Sequence, residues 1–207
     1  MTEAAALITA FTTLIIIIDP LGLTPLFIAL TQGMTPAQRR GVAVRACLVS
    51  GALMAVFMLL GEAVLGFVGI SMDAFRIAGG ILLFLTALEM LFQRRQARKA
   101  DTAAESEIED DPSVFPLALP LIVGPGTITT LILLSGQADG SAGLIAIAAV
   151  CLAVLAIVFL AFLTAGALER LLGKVGLNIV TRVLGMLLAA LAMQFILDGL
   201  RGFGIGG

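Results

Sequence analysis

Asp19 is a carboxylate set in the apolar run Leu14-Ile15-Ile16-Ile17-Ile18-Asp19-Pro20-Leu21-Gly22-Leu23-Thr24-Pro25-Leu26-Phe27. An ionised side chain near the middle of a membrane span costs about 2.5–3.5 kcal/mol on insertion scales and marks a functional position by default. Three roles suit it: N-cap of a helix beginning at Pro20, partner of a ligand ammonium group, or a proton or sodium site. Pro20 has no backbone N–H and its ring clashes with the carbonyl four residues earlier, so a continuous helix here costs about 3 kcal/mol. A kink or break is expected, and in lipid such irregular backbone persists only where it is buried in protein or lines a cavity.

A second interruption falls in Leu119-Pro120-Leu121-Ile122-Val123-Gly124-Pro125-Gly126-Thr127-Ile128-Thr129-Thr130. Gly-Pro-Gly is the stronger breaker of the two. Each break starts a half-helix whose first N–H groups carry the positive end of the dipole and suit a carboxylate. The carbonyls freed from the preceding half-helix suit a cation or an ammonium group. Together the two breaks have the donors and acceptors for a zwitterion, with its carboxylate on the N–H groups after Gly22 or Gly126. The candidate substrate-binding residues are Asp19, Pro20, Leu21, Gly22 and Thr24 on the first break and Gly124, Pro125, Gly126, Thr127 and Thr129 on the second. Asp19 is also the candidate for cation coupling. Either break alone fits an ordinary kink re-satisfied by Ser, Thr or water; two at matching places favour a shared site.

The composition removes most other chemistry. The chain has 207 residues, 60% hydrophobic and 13% charged, with no His, Trp or Tyr. That excludes imidazole bases, His-containing zinc sites and Ser-His-Asp triads, and no catalytic residue, metal site or cofactor is assigned. A net charge of −2 offers no field for nucleic acid. Cys47 and Cys151 lie in apolar runs and read as buried packing residues. Small residues at Ala43, Cys47, Gly51 and Ala55, and at Ala149, Ala153, Ala161 and Ala165, read as helix-packing seams. Glu62 and Glu89 lie nearer span ends, where snorkelling or pairing with arginine explains them, and Arg76 and Arg182 read either as interfacial anchors or as partners of Glu62 or Glu169. Gln194 and Asp198, in the last span, face either the interior or the outer surface.

These residues require membrane helices to hold them. Mean hydropathy is +1.14, and about 20 apolar residues cross a bilayer core of about 30 Å. Six segments qualify, near residues 5–31, 41–68, 74–92, 114–136, 142–168 and 178–200, giving an all-α polytopic membrane protein. The first has no basic region before it, with only Glu3 preceding the apolar stretch, so it is expected to belong to the mature fold, not to a signal peptide. Short connectors carry turn residues at 32–36, 69–73, 137–140 and 172–176. The long connector, 93–112, runs from Arg94, Arg95, Arg98 and Lys99 to Asp101, Glu105, Glu107, Glu109, Asp110 and Asp111, and reads as a solvated cytoplasmic linker. Arg39, Arg40, Arg45, Arg170 and Lys174 fall on the linker's side, against Arg76 and Arg201 on the other, so both termini are expected outside the cytoplasm, on the periplasmic face.

The linker divides the chain into 1–92 and 113–207, with three spans each. Pro20 and Pro125, Arg76 and Arg182, Gly79 and Gly185, and Glu62 and Glu169 match at offsets of 105 to 107 residues. A repeat with an odd number of spans must insert its second copy upside down, the arrangement of many secondary transporters, whose sites lie at the repeat interface between discontinuous helices. Helices 1 and 4 are the expected discontinuous pair.

With Asp19-Pro20-Leu21-Gly22 and Pro25-Leu26-Phe27, then Phe75-Arg76-Ile77-Ala78-Gly79-Gly80, then Pro116-Leu117-Ala118-Leu119-Pro120-Leu121-Ile122-Val123-Gly124-Pro125-Gly126-Thr127, the chain resembles the MarC family, which includes the SnatA neutral amino acid transporters. The resemblance covers essentially the whole length. It implies six spans, a bacterial inner-membrane location and, for SnatA-type members, cation-driven transport of glycine, alanine and similar amino acids. Where family members commonly carry Asn-Pro, this chain has Asp19-Pro20. The competing readings are an ion or small-solute channel and a membrane protein without transport activity. Sodium and proton coupling, import and export, and monomer and homo-oligomer are not distinguished by the sequence.

Overall fold

Helix α1 (Glu3–Ile18) hands over to α2 (Pro20–Leu30) through Asp19, and Ala5–Leu30 together is long and apolar enough to cross a membrane. The structure is a computed structural model that describes residues 3–92, 111–138 and 140–204. Most of the charged linker, including Arg94, Arg95, Arg98, Lys99 and the acidic residues up to Asp110, lies outside the described residues, as do the side chains of Glu169 and Lys174.

α3 (Pro36–Val68) starts earlier than the residue 41 expected from hydropathy. Its start is set by capping: Gln38 N–H donates to Thr35 Oγ1 (3.3 Å), Thr35 N–H donates to Gln38 Oε1 (2.8 Å), and Pro36 occupies the first turn, where no N–H is needed. α4 (Met72–Leu91) starts from Ser71, whose hydroxyl accepts from Ala74 N–H at 3.2 Å. Beyond the linker, α5 (Ser113–Ile122) is a wide π-type helix. It is extended at Phe115 and Leu119, each followed by a proline whose ring disfavours helical backbone in the residue before it. α6 (Pro125–Ser135) leaves α5 at 61°. α7 (Gly140–Leu163) and α8 (Ala165–Gly202) complete the chain.

The expected fifth span, 142–168, ends instead at Leu163, and the expected connector 172–176 lies inside α8, kinked at Gly173 with φ 61°. Ala165-Gly166-Ala167-Leu168 is apolar enough to read as membrane, yet Thr164 interrupts before it, its hydroxyl donating to the Leu160 carbonyl at 2.7 Å. Among the described residues five segments, with α1 and α2 counted together, are long and apolar enough to span, or six if α5 and α6 count as one bent span. Among the described residues every regular element is helical.

α1 is the central helix. Leu14 and Ile18 pack in one core with Leu23, Leu131 and Val154, while Ile16 and Ile17 pack in another with Leu83, Ala87 and Leu188. α4 and α8 lie along one another, with Gly80 against Ala192 and Ile196 and Gly185 against Ala87 and Met90, the close approach that small residues permit. Large apolar side chains such as Phe67, Leu152 and Leu171 face outward, as a lipid-covered surface requires.

Candidate functional site

Asp19 is 1% exposed and left-handed (φ 55°, ψ 68°), a conformation that a short polar side chain tolerates by bonding locally. Its Oδ1 accepts from Gly22 N–H at 3.0 Å and its backbone carbonyl accepts from Leu23 N–H at 3.0 Å. Gly22 is required by contact: a Cβ there would collide with the Asp19 carboxylate. Pro25 removes the helical donor for the Leu21 carbonyl, and Thr24 Oγ1 replaces it at 2.7 Å. Pro20, Gly22 and Thr24 are buried and Leu21 half-buried. The first interruption therefore supplies its own carboxyl cap, and the N–H groups expected to be open after Gly22 are already engaged.

The second interruption has no such cap. Gly124 stands at the N-cap of α6 without a side-chain hydrogen bond, Pro125 has no N–H, and the first helical bond runs from Ile128 N–H to the Gly124 carbonyl at 3.0 Å. Gly126 and Thr127 thus provide the leading N–H groups of α6 at the positive end of its dipole. Thr127 Oγ1 donates to the Ile122 carbonyl at 2.9 Å, satisfying a backbone group freed by the break. Thr129 is buried, its methyl against Gly79 of α4.

The second interruption packs against α1 just before the first. A Cβ placed on Gly126 would lie 3.2 Å from Ile17 of α1, two residues before Asp19, and 3.1 Å from Leu83 of α4. Their surroundings differ: Asp19 and Pro20 are buried, whereas Pro125 is exposed and lines a cleft of about 620 Å³ with Thr86 and Glu89 of α4. A partner that spacing does not announce is Thr181 of α8, 4% exposed, whose hydroxyl donates to Asp19 Oδ2 at 3.4 Å. It lies 162 residues from Asp19, and neither its type nor its register in an apolar helix singles it out. Thr13 of α1 and Thr130 of α6 are also fully buried, with hydroxyls that find no hydrogen-bond partner among the described residues.

Other charged residues lie outside this centre. Arg76 pairs with Asp73 at 3.3 Å, not with Glu62, which is exposed on α3. Arg182 is exposed. Asp198 accepts from Gln194 at 2.8 Å and pairs with Arg201 at 3.3 Å. Asp111, where the described chain resumes, pairs with Arg45 at 3.1 Å. Partial burial pushes its pKa up, but hydrogen bonding from Ser113 and the Arg45 guanidinium outweigh it and hold the carboxyl below its ordinary value.

Multiple apolar helices around buried interruptions define a multi-pass integral membrane protein. Residues 4–203 match the MarC family integral membrane proteins, and the chain belongs to that family. It is 40% identical over 193 residues to a UPF0056 membrane protein of Archaeoglobus fulgidus, covering 92% of this chain and 90% of the relative. It is 36% identical over 195 residues to the UPF0056 inner membrane protein YhgN of Escherichia coli K12 (94% and 96% covered). Against the UPF0056 membrane protein YvbG of Bacillus subtilis it is 35% identical over 195 residues (93% and 92%). No solved structure matches the chain.

Proposed function

We propose that the protein is a cation-coupled secondary transporter of small neutral amino acids, glycine and alanine among them, working by alternating access around the two interruptions. The observation that carries this reading is that Gly126 packs against Ile17, two residues before Asp19, with opposite chemistry at the two interruptions. The leading N–H groups at Gly126 and Thr127 suit a substrate carboxylate. Asp19, held by Gly22 and Thr181, suits the ammonium group or a coupling sodium ion or proton. The tight approach of Ile17 and Leu83 to Gly126 favours substrates with small side chains.

In this reading, 1–92 and 113–207 are inverted three-helix repeats, with helices 1 and 4 discontinuous at Asp19 and Gly124. The linker 93–112 is cytoplasmic, and both termini face the periplasm of a bacterial inner membrane. The relative named as an inner membrane protein in E. coli supports that location. The cleft beside Pro125 lies along the linker-proximal half of α4 and supports access from that side. Counterflow of labelled glycine or alanine in proteoliposomes tests the proposal. Exchange of label against unlabelled amino acid is expected; no exchange overturns it, and single-channel current without counterflow replaces it with a channel.

A further inference from the structure

The two ends of the helix bundle are charged differently. At the end where α3 meets α4, Arg76 and Arg201 each pair within their own helix, with Asp73 and Asp198, at 3.3 Å. At the opposite end Arg39, Arg40 and Arg45 follow one another on the first turns of α3, and among the described residues Asp111 is the acidic side chain beside them. Arg40 lines two adjoining clefts there. One, of about 570 Å³, runs between Arg40, Gln38, Arg45 and Asp111. The other, of about 220 Å³, is bounded by Arg39 and Arg40 on one side and by Phe27, Ile28, Phe162 and Leu163 on the other.

The smaller cleft joins a cationic rim to an apolar wall. Phe27 of α2 and Phe162 of α7 stack with ring centroids 4.4 Å apart and planes within 5°, giving that wall a rigid base. Arg39 is oriented by its Nε, which donates to the Thr31 carbonyl at 3.2 Å, leaving the two terminal nitrogens of the guanidinium to reach a second group. Arginine forks of this kind match phosphate oxygens. The helix ends on both sides of the cleft, at Leu30 of α2 and Leu163 of α7, place it where a span leaves the hydrocarbon and enters the headgroup layer.

We propose that Arg39 and Arg40, neither of them paired with Asp111 as Arg45 is, hold the phosphate of an anionic phospholipid whose first acyl carbons lie along Phe27, Ile28, Phe162 and Leu163. A free phosphate would use the rim but not the wall; a lipid uses both. Basic pockets between membrane helices take anionic headgroups in this manner. The site is separate from the two interruptions, so it stands or falls independently of the transport reading.

The test is lipid retention by the purified full chain in nanodiscs of mixed phosphatidylcholine and phosphatidylglycerol, read by native mass spectrometry after release. Wild type is expected to retain phosphatidylglycerol over phosphatidylcholine. Preference should fall about fivefold for each of Arg39→Gln and Arg40→Gln, recover in Arg40→Lys, and stay unchanged in Arg201→Gln at the other end. Melting curves identify any variant that fails to fold, and whichever of Arg39→Gln and Arg40→Gln folds then carries the comparison against wild type and Arg40→Lys. Equal retention of both lipids by wild type, or an unchanged preference in folded Arg39→Gln/Arg40→Gln, overturns the proposal. Displacement of the lipid by millimolar inorganic phosphate overturns the lipid assignment in favour of a free anion.

Discussion

The two interruptions begin from similar sequence, a proline with a glycine within two residues of it in an apolar run, and end in different states. At Asp19-Pro20 the chain carries its own carboxyl group, which takes the Gly22 N–H and the Thr181 hydroxyl, and the span continues as one segment, Ala5–Leu30. At Gly124-Pro125-Gly126 no side chain caps the new helix, the chain turns by 61°, and Pro125 opens on a cleft. One break is capped by a carboxyl side chain; the other has no side-chain cap and presents the positive end of a helix dipole. Two breaks of the same kind would compete for the same ligand group, whereas the proposed transport of a zwitterion calls for two breaks that differ in this sense.

Substitutions that fill or empty either break sharpen that contrast. The largest effect is expected at Gly22. Gly22→Ala forces its methyl into the Asp19 carboxylate and should cost about 3 kcal/mol through strain and lost capping. Gly126→Ala meets the end of Leu83 at 3.1 Å and the γ2 methyl of Ile17 at 3.2 Å, both relieved by shifts of a few tenths of an ångström, and should cost about 1 kcal/mol. Thermal unfolding in detergent measures both, and equal losses would remove the asymmetry. Asp19→Ala comes next, at about 2–3 kcal/mol, because it deletes the cap and leaves a non-polar residue in left-handed backbone. Asp19→Asn retains an acceptor for Gly22 and tolerates that backbone, so its loss should stay near 1 kcal/mol in the same melt.

Thr127→Val tests the second break. It leaves the Ile122 carbonyl without its hydroxyl donor and should cost about 1–2 kcal/mol while preserving the shape of the side chain. The smallest effect is expected outside both breaks, at Asp111. Folding lowers its pKa, so its contribution is present above the unfolded carboxylate range and fades as pH falls through the folded value. Because Arg45 and Asp111 are both substantially exposed, Asp111→Asn should shift stability by no more than about 1 kcal/mol at neutral pH, with the difference vanishing in acid.

Much of this arrangement was legible in the residues. Pro20 and the Gly-Pro-Gly at 124–126 mark where helices end, because the missing N–H and the ring clash are local properties of the chain. Asp19 was legible as an N-cap, though not as the residue that would occupy the N–H groups after Gly22. That depends on its left-handed backbone, which residue type alone does not dictate. Thr24 and Thr127 read as hydroxyls near a ligand, yet both donate to nearby carbonyls, leaving their oxygens as acceptors. Thr181 was not legible, since its meeting with Asp19 is set by how α8 crosses α2. The ends of α3 and α7 escaped hydropathy because a capping box at Thr35 and a threonine at 164 set them, not the apolar pattern.

The most direct test is glycine uptake into proteoliposomes under imposed sodium and proton gradients, with wild type and Asp19→Asn side by side. With the cation carried at the first break and the substrate carboxylate at the second, wild type accumulates glycine under one of the two gradients. The folded Asp19→Asn still exchanges glycine but with altered gradient dependence. Uptake that responds to neither gradient in wild type, or a gradient dependence unchanged in Asp19→Asn, contradicts that division of labour.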